Sequence, residues 1–318
     1  MKRAARTILR AATHLLERRI LEKSVVVFIY HDISDAPSRF NSMFGLNVRP
    51  SIFSIQLDLI REHFHIVGPV QLVRGDYQKP AALITFDDGN LSYFRNALPI
   101  LKEKGIPSLA FLNAGPIRGE VCRSGLGAYL QNFEPVFYGP RGYEPGGYDF
   151  CQFTEPEVYR YLDSVDADAL LERVRAFRGP IAGKEDLEAV STEPLVYLGN
   201  HLYNHYNATL LFDRLKDEYW KNQSILDDHP RGVRLFSYPF SRHNDETTRI
   251  IRAQGAEAIF TVGGLPNVGG KGDMYYRVEL SNEVVAGSDM VSEVTKNYLA
   301  AKLKGRIRSS GSGHLSAS

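Results

Sequence analysis

The sequence predicts an α/β protein with a mainly parallel sheet, open or closed into a barrel. Two observations carry that expectation. Short apolar runs rich in β-branched residues alternate with segments of helical periodicity. Residues with chemical reach also collect at the ends of those runs, where parallel α/β folds gather their functional groups.

The elements follow in order. Ser24–His31 (SVVVFIYH) is β-branched and apolar, the length of a buried strand. Ile52–Phe64 places Ile52, Ile55, Leu59 and Ile60 on one helical face. Ala81–Phe86 is a second buried strand, ended by Asp87-Asp88-Gly89. Leu91–Lys104 is a helix stopped by Gly105 and Pro107. Ser108–Asn113 is a third strand. The alternation then breaks: 115–150 is rich in Gly, Pro and Tyr and reads as loop. Thr154–Phe177 reads as a helix opened by a T-x-x-E cap, Thr154 to Glu157. Alternation resumes with strand Leu195–Gly199, helix Thr209–Leu226, strand Val233–Tyr238, helix Asp245–Gln254, strands Ala258–Val262 and Tyr275–Leu280, and helix Met290–Lys302. The tail 304–318 is low-complexity and reads as disordered.

Composition narrows the function classes. The chain has 318 residues, 43% hydrophobic and 24% charged, enough for a sizeable core. A net charge of +1 gives no reason to expect nucleic acid as partner. Two cysteines, Cys122 and Cys151, are too few for a disulfide framework or a CxxC zinc site. Residues 1–23 are expected to form an N-terminal helix. Arg3, Arg6 and Arg10 precede AATHLLERRI, which is too polar for the apolar core of a signal peptide. We therefore expect a cytoplasmic protein. The helix either packs on the domain or rests, through its basic face, on a membrane surface as a peripheral contact.

Four segments at strand ends carry the chemistry: Tyr30-His31-Asp32, Asp87-Asp88-Gly89, His201 to His205, and Tyr238-Pro239-Phe240. In GNHLYNH, His201 and His205 stand four apart; on a helical turn both imidazoles would face one way, as two surface histidines also would. The acidic pair adds weight. Asp-Gly is a common turn, and Asp88 could cap the following helix. Two adjacent carboxylates at the end of a buried strand nevertheless repel and are costly to desolvate. A cation on one of them relieves the repulsion and leaves the other free as a base. Asp88, His201 and His205 form a two-His, one-carboxylate set suited to one divalent metal, zinc first, with cobalt, nickel or ferrous iron as alternatives. Such a metal acidifies bound water and polarises a carbonyl. Asp87 beside it would be the general base.

TFDDG followed by GNHLYNH resembles the polysaccharide deacetylase family, the NodB-type carbohydrate esterase family 4. FIYHDI and FSYPFS resemble family segments too, and the resemblance covers roughly 24–113 and 194–285. It implies a distorted (β/α) barrel with fewer than eight strands, here a single domain over 24–303 with an inserted loop and helix region at about 114–193. It implies metal-dependent removal of an N-acetyl group from an amino sugar or glycan precursor. The roles it implies are Asp87 as base, Asp88, His201 and His205 as metal ligands, and Tyr238-Pro239-Phe240 as the turn lining the substrate groove, where a backbone N–H helps hold the oxyanion. Two positions depart from the pattern. The Arg that usually precedes the Pro is Tyr238 here, so its contact to the base is absent or comes from elsewhere. Arg277 in YYRVEL is a candidate to orient a catalytic carboxylate or a phosphate, or a plain salt-bridge partner at the barrel end. The family's late Leu-x-His is missing as well, which leaves His31 or His243 as general acid, His31 being preferred for ending a central strand. The aromatics of 114–193, among them Tyr129, Phe133, Phe137, Tyr138, Tyr143, Tyr148, Phe150 and Phe153, suit a substrate lid or a small local core. Two other readings stay open: a catalytically silent carbohydrate-binding protein, and hydrolysis of a formyl or other amide on the same fold.

Overall fold

In the computed structural model, the residues described are 17, 19–134, 160–210, 212–263, 267–268 and 274–296. The N-terminal helix before residue 17, the cap at Thr154–Glu157, the aromatics from Phe137 to Phe153, Cys151 and the tail lie outside them.

The expected strands are all present. We label them β1 (Ser24–Tyr30), β2 (Ala81–Phe86), β3 (Ser108–Leu112), β4 (Val196–Asn200), β5 (Gly232–Ser237), β6 (Ala258–Val262) and β7 (Met274–Glu279). Each pairs in parallel with the next in sequence. The circle closes because β1 pairs on one side with β2, Val25↔Ala81 through Tyr30↔Phe86, and on the other with β7, Val27↔Arg277 through Ile29↔Glu279. The sheet is therefore a closed seven-stranded parallel barrel, with a register shift between β4 and β5. Short flanking pairings at 65–66 and 267–268 extend it.

Strand alternation divides the core in two. Val25, Val27, Ala81, Leu83, Leu109, Phe111, Leu235, Phe260 and Tyr275 fill the barrel interior. Their neighbours Val26, Phe28, Tyr30, Ala82, Ile84 and Phe86 face outward, against the helix Pro50–His63 (α1) through Phe53, Leu57 and Ile60. That alternation also positions the chemistry. His31, Asp87, Ser237 and Arg277 each continue the inward-facing register of β1, β2, β5 and β7. They therefore meet over the carboxyl end of the barrel.

Helices differ from expectation where glycine and acidic residues intervene. Arg123–Phe133, expected as loop, is an α-helix (α2) despite Gly125 and Gly127. The single helix expected over 154–177 is interrupted at 163–166, and Asp166 caps a second one, Ala167–Arg178 (α3), by accepting from the Ala169 N–H. The helix expected from Thr209 starts only at Leu215 and runs to Asp227 (α4). Among the described residues no helix is long and apolar enough to cross a membrane.

One glycine is required by the barrel itself. A Cβ on Gly199 would sit 2.7 Å from the Phe111 ring and 3.0 Å from the Leu235 carbonyl oxygen. Gly199→Ala should cost roughly 1–3 kcal/mol through overpacking, read as a lower denaturant midpoint at unchanged slope. A midpoint equal to wild type would show that the ring relaxes freely.

Candidate metal and catalytic site

The acidic turn begins as strand. The Asp87 N–H donates to the Tyr30 carbonyl, 3.0 Å, continuing the β1–β2 ladder. Asp88 then takes a left-handed φ of 73° and Gly89 follows at 66°. Asp tolerates that region better than most residues. Asp87 keeps the inward register of β2, and Asp88 reaches both histidines of the chain that follows β4.

The two histidines do not lie on a helical turn. Residues 201–207 form an irregular loop in which Leu202 (φ 61°) and His205 (φ 57°) are left-handed. Buried amides hold this shape. Asn113 Nδ2 donates to the carbonyls of His201 and Leu202. Asn200 Oδ1 accepts from the Leu202 N–H, 2.9 Å, and from Asn222 Nδ2, 2.9 Å. Asn222 Nδ2 also donates to the Leu112 carbonyl, and its Oδ1 accepts from the Ala114 N–H, each at 2.8 Å. The i, i+4 spacing thus brings the imidazoles together through a clamped loop, with ring centroids 4.8 Å apart.

Both carboxylates are buried and ionised. Burial opposes the charge of Asp87, but Arg277, together with His201 and His31, outweighs it and holds the carboxyl below its usual range. Arg277 grips Asp87 with both nitrogens, Nη1 to Oδ1 at 2.7 Å and Nη2 to Oδ2 at 2.6 Å, and Nη2 also donates to Ser237 Oγ, 2.7 Å. Burial likewise opposes the charge of Asp88; His205, His201 and Arg178 overcome it and hold the group well below the carboxylate range. His205 is pushed down by burial, partly offset by Asp88.

Asp88 Oδ1 lies 3.0 Å from His205 Nε2 and 3.5 Å from His201 Nε2. His201 Nδ1 is 2.8 Å from the Ser237 carbonyl, which can only accept, so that nitrogen carries the hydrogen. Nε2 is then the His201 atom that faces Asp88, and a proton or a metal cation between them would hold the two together. The donor atoms of Asp88, His201 and His205 all lie within 4.8 Å of one another, and all three residues are buried. The set fits a divalent ion.

Most of the other candidates border the same space. A cavity of about 250 Å³ is lined by His31, Asp87, Asp88, His201, His205, Tyr238, Phe240 and Arg277. His31 Nδ1 is 3.8 Å from Glu279 Oε1 at the end of β7. Phe240, left-handed at φ 55°, packs edge-on against His205, 4.5 Å between centroids. The Tyr238 hydroxyl turns away, 3.4 Å from Thr248 Oγ1. Pro239 is buried behind the turn and does not line the cavity. His243 stacks on Tyr238 at 5.1 Å and is not among the lining residues. Sequence reasoning missed Ser237, which the inward parity of β5 would have indicated, and Arg178, for which spacing gives no signal. Of the lid aromatics, Tyr129 and Phe133 pack with Phe177 in a local core.

The sequence profile of the family described as polysaccharide deacetylase matches residues 74–259. Among solved structures, the chain is similar to IcaB from Ammonifex degensii, with 21% identity and a TM-score of 0.58 over 86% of this chain and 97% of that one. It is similar to the deacetylase PplD from Streptococcus pyogenes, solved with acetate, at 15% identity and TM-score 0.52 over 85% and 98%. It is also similar to BC0361, a polysaccharide deacetylase from Bacillus cereus, at 12% and 0.58 over 86% and 69%. No curated protein matches it. The matched span holds Asp87, Asp88, His201 and His205, and β1 and β7 on either side close the barrel with His31 and Arg277. With that span and that fold, the chain belongs to the polysaccharide deacetylase family.

Proposed function

We propose that this protein is a metal-dependent hydrolase that removes the N-acetyl group from an amino sugar of a glycan or glycan precursor. One observation carries the reading: Asp87, clamped by Arg277, faces the Asp88, His201 and His205 group across one cavity. Asp88, His201 and His205 would hold the ion, with zinc the first expectation. When bound, it supplies a Lewis acid that polarises the amide carbonyl and acidifies water.

The chain's own residues do the rest. Asp87 is ionised and fixed in direction, so it can accept a proton from the attacking water. Arg277 uses both nitrogens on this carboxylate and so fixes its direction, with Oδ2 3.7 Å from His201 Nε2. It supplies from β7 the cationic contact that Tyr238, standing where the family has Arg, cannot make. Water adds to the carbonyl carbon, the C–N bond breaks, and the amine leaves with a proton. We assign that proton to His31, which lines the same cavity with Glu279 Oε1 3.8 Å from its Nδ1. The turn at Tyr238–Phe240 borders the site from β5. Acetate and a free amino sugar are the products.

Two predictions follow from these roles. Asp87→Asn should keep its metal and lose acetate release by about 10²–10⁴-fold, and chelation should abolish wild-type activity until zinc or cobalt is restored. Formate released in place of acetate would move the reading to a deformylase, and metal bound without turnover on any amide would favour a binding protein. For the acid, His31→Asn should lower kcat by about 10²-fold or more with little change in metal content, whereas His243→Asn should stay within a few-fold of wild type. The reverse pattern would transfer the role to His243.

A further inference from the structure

Within the region between β3 and β4, Arg178 reaches the carboxylate of the metal-ligand group. Arg178 ends α3 and is 2% exposed. A guanidinium at that depth needs partners. Its Nη2 donates to Asp88 Oδ2 at 3.1 Å and its Nη1 to Asn90 Oδ1 at 2.8 Å, while its Cζ lies 4.7 Å above the Phe40 ring. Asn90 passes the contact on, donating through Nδ2 to the His31 carbonyl, 3.1 Å.

Backbone geometry delivers the side chain there. The helix stops at Gly179, φ 82°, where a Cβ would meet that of Ser38 at 2.5 Å. Just beyond, the Leu91 N–H donates to the Pro180 carbonyl, 3.1 Å, and the Ala182 N–H to the Gly89 carbonyl, 2.9 Å. Residues 180–182 are thus stitched antiparallel to the chain that leaves Asp88. From the other side, a Cβ on Gly125 would lie 3.0 Å from the Arg178 Cβ and 3.1 Å from its Cγ and Cδ. Gly125 leaves room for the arginine stem and Gly179 for Ser38, and the stitching is made by backbone atoms that do not depend on the guanidinium.

The consequence falls on Asp88. Its Oδ1 faces both imidazoles, and its Oδ2 is taken by Arg178. The carboxylate therefore offers one oxygen to an ion. We propose that Arg178 is a positioning residue that holds Asp88 in one-oxygen ligation of the divalent metal, so that the region between β3 and β4 sets the affinity of a site whose ligands lie outside it. This rests on the reading of Asp88, His201 and His205 as ligands. The planar fork spans Asp88 and Asn90 at once; the single ammonium of a lysine would not reproduce it.

The test is a zinc titration of the full-length apo protein against a competing chelator, for wild type, Arg178→Gln, Arg178→Lys, Arg175→Gln and Asp88→Asn. Arg175, on the same helix, is half exposed and pairs with Glu172, so it serves as control. Loss of an outer partner typically weakens metal binding about 10–100-fold, the loss expected of Arg178→Gln; Arg178→Lys should lose about fivefold or more, and Arg175→Gln nothing. The cobalt-loaded Arg178 variants should also show an altered visible absorption band, which a purely structural role would leave in place. Wild-type zinc affinity in both Arg178 variants would overturn the proposal. Should Arg178→Gln not fold, Arg178→Lys, which keeps charge and stem, decides alone. Unchanged affinity in Asp88→Asn would instead remove the metal-ligand reading itself.

Discussion

The site depends on keeping two adjacent buried carboxylates charged. Desolvation and mutual repulsion both work against Asp87 and Asp88, and a pair left to itself would take up a proton. The fold answers by giving each carboxylate its own cation from a different part of the chain. Arg277 rises from β7 inside the barrel to Asp87, and Arg178 descends from α3 to Asp88. The left-handed turn at Asp88 gives the two groups different arginine partners, while both still border His201 Nε2, at 3.7 and 3.5 Å. The proposed base and the proposed metal ligand thus stand next to each other in sequence, each with its own arginine.

The barrel supplies the convergence. In a closed parallel sheet the inward positions of every strand look toward one axis, so a reactive residue at an inward position of a strand's carboxyl end lies over the same mouth. β1, β2, β5 and β7 use that rule for His31, Asp87, Ser237 and Arg277. β4 cannot use it alone. Its histidines stand on a loop with left-handed residues, and that loop keeps its shape because Asn113 and Asn200 bond its backbone and Asn222 in turn holds Asn200. The Ser237 carbonyl then fixes the tautomer of His201, the kind of outer contact that tunes a metal ligand.

Much of this was legible in the sequence. The strands declared themselves through β-branched apolar runs, and their order around the barrel is their order in the chain. The acidic pair and the spaced histidines stood out because such residues are expensive at the end of a buried strand. What stayed hidden depended on long-range partners. Nothing local in FRGP shows that Arg178 meets an aspartate ninety positions earlier. Gly125 and Gly127 argued against a helix, yet Gly125 is there because the arginine stem occupies the space a side chain would need. The i, i+4 histidines invited a helical reading, since the spacing brings rings together on a helix; the loop achieves the same meeting by left-handed turns that spacing alone cannot reveal.

The most direct test of the account is the position of a metal. Crystals grown with zinc and measured at the zinc absorption edge should show one anomalous peak, about 2.0–2.2 Å from Asp88 Oδ1 and from the Nε2 atoms of His201 and His205, with Asp87 still paired to Arg277 and outside the coordination shell. A peak elsewhere, or no peak at these three residues at full zinc occupancy of the crystal, would contradict it.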